Sequence, residues 1–159
     1  MLYDKSNGGA QPGEGEKERK DAEMKRSVVN VEFKSEIQKV WNAVTDNRNF
    51  QWRSDLADVE ILDNGRTFVE KNKKGEKTEF YITNKVSCKV YELDMRSRRF
   101  KGHFIGEFSA LPNGGTRLVL SEEIQFKTFT ASFLAGITGV VKRMQKTYAA
   151  DLKRRLGEE

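Results

Sequence analysis

The chain has 159 residues, enough for one domain with a substantial core. Hydrophobic residues make up only 36% of it, and 29 lysines and arginines against 24 aspartates and glutamates leave a formal net charge of +5. A single cysteine, Cys88, and a single histidine, His103, exclude a disulfide framework and a zinc site built from His and Cys, so a reducing cytoplasm is the default setting.

Residues 1–27 hold almost no large apolar side chain beyond Leu2, Tyr3 and Met24, and read as a flexible charged arm. Six basic and six acidic residues make the arm neutral, so the net charge belongs to the rest of the chain. Glu16 to Lys25 carries the composition of a charged helical lead-in. The opening Met1-Leu2-Tyr3 lacks the basic-then-apolar pattern of a signal peptide, and it neither supports nor excludes a membrane anchor upstream. Nowhere is there an apolar run of about 18 residues, the length a spanning helix needs.

A domain over residues 28–157 is expected to begin with the alternating strand Val28-Val-Asn-Val-Glu-Phe33. Ser35 then reads as a helix N-cap with Glu36 in the first turn, followed by Ile37, Val40, Trp41 and Val44 at helical spacing. Asp46-Asn-Arg-Asn49 breaks this helix, and Phe50-Gln-Trp52 starts a second short helical turn that plugs one end of a sheet. From Leu56 the period becomes two. Strands turn at Asp63-Asn-Gly65, at Lys73-Lys-Gly-Glu76, at Ser87-Cys88 and at Pro112-Asn-Gly-Gly115. Short connections between sequential strands predict an antiparallel meander.

The last third is the most informative. Phe100, Gly102, Phe104, Gly106 and Phe108 share one face of a strand, and Leu118, Leu120, Glu122, Ile124 and Phe126 share one face of the next. Phe129 to Leu156 then reads as one amphipathic helix, roughly 42 Å long at about 1.5 Å per residue. Its Ala135-Gly-Ile-Thr-Gly139 puts two glycines mid-helix, each costing about 1 kcal/mol against alanine. Either a close helix–sheet contact or a pocket wall that moves accounts for them. A sheet with missing side chains, covered by such a helix, tends to enclose space. The cup would be lined by Phe68, Phe80, Phe104, Gly106, Phe108, Leu118 and Leu120 from the sheet. Phe133, Gly136, Ile137 and Val140 would close it from the helix, with Trp52 at its mouth.

Two carboxylates fall on the inward phase, Glu70 beside Phe68 and Glu122 beside Leu120. In an apolar cup a carboxylate must be paired, hydrogen-bonded or protonated. Such a group anchors a ligand's hydroxyl or amine, or moves protons as a catalyst. The plainer account is that each reaches solvent at a strand end or pairs with an arginine such as Arg53. His103 falls on the opposite, outward phase, and Cys88 has no histidine in sequence reach, so neither reads as catalytic. The basic clusters Arg96-Ser-Arg-Arg99 and Lys142-Arg143 with Lys153-Arg-Arg155 lack a phosphate loop or stacking aromatics, which argues against nucleic acid. Acidic lipid headgroups fit them better.

The order of elements, with Ile37-Gln-Lys-Val-Trp-Asn-Ala-Val-Thr-Asp46, Trp52-Arg-Ser-Asp-Leu56, Gly102-His-Phe-Ile-Gly106, Gly114-Gly-Thr-Arg117 and Tyr148-Ala-Ala-Asp-Leu-Lys153, resembles the START-like, plant-allergen-like helix-grip superfamily, SRPBCC. The nearest look is to its polyketide cyclase and lipid-transport branch. The resemblance implies an α+β fold: a curved antiparallel sheet of about seven strands, two short helices and a long C-terminal helix. It also implies binding, sequestration or transport of a lipid-like or polyketide-like ligand, without metal or tightly bound cofactor. A monomer or weak dimer with transient membrane contact is the expected state. An aromatase/cyclase or dehydratase using Glu70 or Glu122, and a co-chaperone-like interaction module, are the alternatives. Apolar inward positions favour binding over catalysis.

Overall fold

A computed structural model describes residues 24–158. The expected arm and its helical lead-in lie outside the described residues except for their last positions, which belong to the first strand. That strand, β1, runs Met24–Phe33 and so begins at Met24, not at Val28. Helix α1 follows at Ile37–Thr45. Six strands come next: β2 (Leu56–Leu62), β3 (Thr67–Asn72), β4 (Lys77–Val86), β5 (Val90–Arg96), β6 (Phe100–Ala110) and β7 (Thr116–Phe126). The long helix α2, Ala131–Arg155, closes the chain. All seven strands form one antiparallel sheet in the order β1-β7-β6-β5-β4-β3-β2. The expected α+β helix-grip architecture is therefore present.

Two local readings are corrected. The expected second short helix is only a pair of turns, closed by Asn49 N–H to Asp46 O at 3.2 Å and Arg53 N–H to Phe50 O at 2.8 Å. Too few residues separate Asp46 from β2 to propagate a helix past its costly first turn. Ser35 does not cap α1; Glu36 occupies the cap position and makes no side-chain cap bond. The Ser35 hydroxyl donates instead to the Glu158 carboxylate at 2.9 Å, where an ionised acceptor makes the stronger bond. Lys34 N–H also donates to Glu158. The end of the chain is thereby tied to the β1–α1 junction.

The inward alternation expected for β6 and β7 holds. Gly106 pairs with Leu120 and Phe108 with Leu118, and the main core gathers Phe33, Val40, Trp41, Phe68, Tyr91, Leu93, Phe108, Leu118, Leu120 and Leu152. Trp41 on α1 packs edge-on against Phe108 at 5.0 Å and Tyr91 at 6.2 Å, sealing one end of the cup. A smaller cluster of Ile124, Phe126 and Val141, with Phe100 and Ile137 against it, joins the sheet to the middle of α2.

Helix α2 grips the sheet unevenly. Its buried residues are Val141, Gln145, Ala149, Asp151 and Leu152, none of them before Val141. Two of them are polar and hold the helix by directional bonds. Gln145 Oε1 accepts from the Ser27 hydroxyl at 2.7 Å, and its amide nitrogen donates to Ser27 O at 3.2 Å. Asp151 accepts from Ser54 N–H at 2.8 Å, Ser54 Oγ at 2.7 Å and Arg154 at 2.7 Å. Burial pushes the Asp151 carboxyl up, but these donors outweigh it and hold it below the usual aspartate range. Replacing Asp151 by alanine should therefore cost about 2 kcal/mol in denaturant unfolding at neutral pH, since two Ser54 donors lose their acceptor. Because the folded carboxyl titrates below its unfolded value, that contribution is present at neutral pH and fades as pH falls through the acidic range.

Candidate ligand-binding site

The inner face of the sheet and the turn before β2 bring one charged group into an otherwise apolar cup. Arg53, presented by the turn that replaces the expected helix, reaches across to β3. Its Nη1 donates to Glu70 Oε1 at 2.9 Å, and its Nε and Nη2 donate to Asp55 at 3.0 and 2.8 Å. The guanidinium and the Glu70 carboxylate are each 15% exposed at the side chain, while Asp55 is at the rim. Burial would lower the Arg53 pKa, but Glu70 and Asp55 outweigh it and fix the positive charge. Burial pushes Glu70 upward, and Arg53 pulls it back only in part. Of the two accounts of Glu70, pairing with Arg53 is the one realised.

Tyr148 of α2 roofs this pair. The Arg53 guanidinium carbon lies 4.9 Å from its ring centroid, and Trp52 packs edge-on against it at 5.3 Å. Burial raises the Tyr148 hydroxyl well above its ordinary range. On β5, Tyr91 accepts a bond from Asn47 at 2.9 Å, and burial pushes its phenol up to about 12. Both phenols stay neutral donors.

Glu122 differs. It sits half-buried on β7 between Phe104 of β6 and Ser27 of β1, and makes no hydrogen bond or ion pair among the described residues. Burial pushes its carboxyl up to about 7, with Arg53 pulling down and Glu70 pushing up. Arg53's four hydrogen bonds go to Asp55 and Glu70 and none to Glu122, so Arg53 acts on Glu122 through its field.

The apolar residues expected to line the cup divide in two. Phe68, Phe108, Leu118 and Leu120 are fully buried in the main core and form its floor. Trp52, Phe80 and Phe104 are half-buried against that core, and Phe80 stacks on Phe68 at 5.0 Å. Ile137 packs on the smaller cluster; Phe133 sets its ring edge-on against Phe126 of that cluster at 4.9 Å but stays 41% exposed, and Gly136 and Val140 are exposed on α2. The glycines separate by cause. A Cβ at Gly102 would come within 2.4 Å of the Glu123 carbonyl oxygen, so close strand approach demands glycine there. A Cβ at Gly106 would meet only the Phe104 and Phe108 rings at 3.5 Å, ordinary contact, so its missing side chain leaves room between those rings. Nothing lies within 4 Å of a Cβ at Gly136 or Gly139, which removes close helix–sheet packing as their cause.

The outward phase of His103 is also realised: its Nδ1 lies 2.7 Å from Asp94 and its Nε2 3.5 Å from Glu92. These residues border an open groove of about 600 Å³ on the outer face, lined by Glu79, Tyr81, Arg96 and Lys101 among others. Its charges face solvent and compensate one another, so the inner group is the stronger candidate. Among the described residues no group of three or more His, Cys, Asp or Glu could hold a metal ion. Nothing in the sequence marks Tyr91 or Asp55 as part of the site, and Arg53 reads there only as a partner; the meeting of Arg53 with Glu70 depends on how the turn at 50–53 folds back over the sheet.

The sequence profile of the polyketide cyclase / dehydrase and lipid transport family matches residues 24–157. The chain belongs to this family. Among curated proteins none matches the sequence. Solved structures agree in fold. The Zhui aromatase/cyclase from a Streptomyces species is similar with a TM-score of 0.71 and 13% identity, over 81% of this chain and 91% of that one. A START superfamily protein from Mycobacterium smegmatis gives 0.70 and 15%, over 84% and 97%. A conserved protein from Geobacillus kaustophilus gives 0.70 and 11%, over 84% and 95%. At these identities the likeness is one of fold. The fold and family fit a helix-grip hydrophobic ligand binder or a polyketide cyclase-like protein, and no described helix is long and apolar enough to cross a membrane.

Proposed function

We propose that this protein binds a small amphiphilic molecule, lipid-like or polyketide-like, in the cup between the sheet and α2. The observation that carries this is Glu122, a half-buried carboxyl on the inward phase of β7 with no protein hydrogen bond among the described residues, beside an arginine that bonds Asp55 and Glu70 instead. An unpartnered carboxylate there is expensive unless something donates to it. With Asp55, Glu70 and Glu122 against one guanidinium, the cup favours a ligand that donates, a hydroxyl or an amine, over an anion. The apolar body would lie along Phe80, Phe104 and the gap at Gly106, with Trp52 and Tyr148 over the entrance.

Titration with a neutral solvatochromic dye such as Nile red tests this. The wild type should bind with a blue-shifted emission, and Gly106→Leu, which fills the gap between Phe104 and Phe108, should weaken binding at least tenfold while the fold persists. Unchanged affinity in a folded Gly106→Leu protein removes the cup as the site.

A second reading has its own support. A carboxyl that titrates near 7 is suited to proton transfer, and the same cup would orient a reactive chain in an aromatase/cyclase or dehydratase. Glu122→Gln separates the two, abolishing turnover if Glu122 moves protons and only tuning affinity if it anchors a ligand.

A further inference from the structure

From Ile124 to Ala150 the chain contains Lys127, Lys142, Arg143 and Lys146 and no acidic residue. In the same stretch Phe129, Phe133, Val140 and Met144 are 39%, 41%, 41% and 61% exposed, nearly half of the large apolar side chains exposed among the described residues. Residues 133, 140 and 144 are spaced seven and four apart, which stacks them on one helical face. Lys142, Arg143 and Lys146 share the remaining exposed surface and form no ion pair among the described residues. The β5–β6 turn extends this surface. Lys127 N–H donates to Arg99 O at 2.9 Å and its Nζ to Ser97 O at 3.2 Å, which holds the turn with exposed Arg98 against the segment leading to Phe129, while Arg99 pairs with Glu76 at 3.5 Å.

We infer that this face of α2 docks onto an anionic bilayer, with the stripe entering the headgroup region and Arg143 beside it, together with Lys127 and Arg98 near its start, contacting lipid phosphates. A helix lying in an interface needs an apolar stripe flanked by cations, and acids within it would be repelled. A second copy of this chain fits less well, because a two-fold contact through this face would set Arg143 and Lys146 against their own equivalents. The stripe also includes Phe133 and Val140, in the stretch 131–140 of α2 that has no buried residue, so docking would put this side of the cup against lipid. The inference stands apart from the ligand reading, since protein without ligand is sufficient to test it.

Vesicle flotation with the full chain decides it. Binding is expected to vesicles of phosphatidylcholine mixed with phosphatidylglycerol, not to phosphatidylcholine alone, and is expected to fall steeply with added salt. Met144→Glu, at an exposed position, should weaken binding about tenfold or more without lowering the melting temperature, as should Arg143→Glu with Arg98→Glu. Three results overturn the inference: no binding to the anionic vesicles, binding indifferent to both variants, or a dimer in analytical ultracentrifugation that Met144→Glu dissociates.

Discussion

Arg53→Leu is expected to lower the unfolding free energy by about 3–5 kcal/mol, the cost of stripping one partner from a buried ion pair. The guanidinium satisfies Glu70 at 2.9 Å and Asp55 at 2.8 Å. Asp55 stands at the rim with its side chain 38% exposed and can take up water, but Glu70 at 15% cannot do so freely. Losing Arg53 therefore leaves Glu70 to protonate or to pull water into the core. The double variant Arg53→Leu with Glu70→Leu should recover most of the loss, because a pair of apolar residues needs no partner. Urea unfolding of the two singles and the double measures the coupling. Additive losses would mean that the pair is not the structural unit drawn here.

Glu122→Gln is expected to change stability in a pH-dependent way. The folded carboxyl titrates near 7, above the ordinary glutamate value of 4.5, chiefly because of burial. Below the unfolded value both states are protonated and the wild type has its full stability. Between about 4.5 and 7 the unfolded chain ionises first, so the wild type loses stability as pH rises, and the loss is complete above 7. Glutamine has no such titration. The variant should match the wild type near pH 4.5 and exceed it by up to about 3 kcal/mol at pH 8, the free-energy equivalent of moving the pKa this far. Unfolding midpoints of both proteins across that range check the sign. Parallel profiles would show that Glu122 is hydrated like a surface carboxylate, and the proposed anchor would be lost with it.

Both predictions concern residues whose relation the sequence shows only in part. Strand phase was legible: the alternation of Phe104, Gly106 and Phe108, the inward phase of Glu70 and Glu122, and the outward phase of His103 all follow from a period of two, which tertiary packing rarely overrides. The main departures arise where long-range contacts compete with local preference. Ser35 resembles an N-cap, but the chain returns more than a hundred residues later with the Glu158 carboxylate, a better acceptor for its hydroxyl. Gln145 lies on the buried phase of α2, where a polar residue looks misplaced until Ser27 of β1 arrives to meet it. Arg53 and Glu70 are adjacent only because the turn at 50–53 folds over the sheet. The two glycines of β6 look alike in sequence and have unlike causes, a backbone contact at Gly102 and open room at Gly106, which only coordinates distinguish.

The most direct test of the cup is native mass spectrometry of the protein purified from its own host, followed by organic extraction of whatever is bound. One apolar compound at one-to-one stoichiometry is expected, bearing a hydroxyl or amine and displaced in Gly106→Leu. A bare protein that also takes up no neutral apolar dye would contradict it.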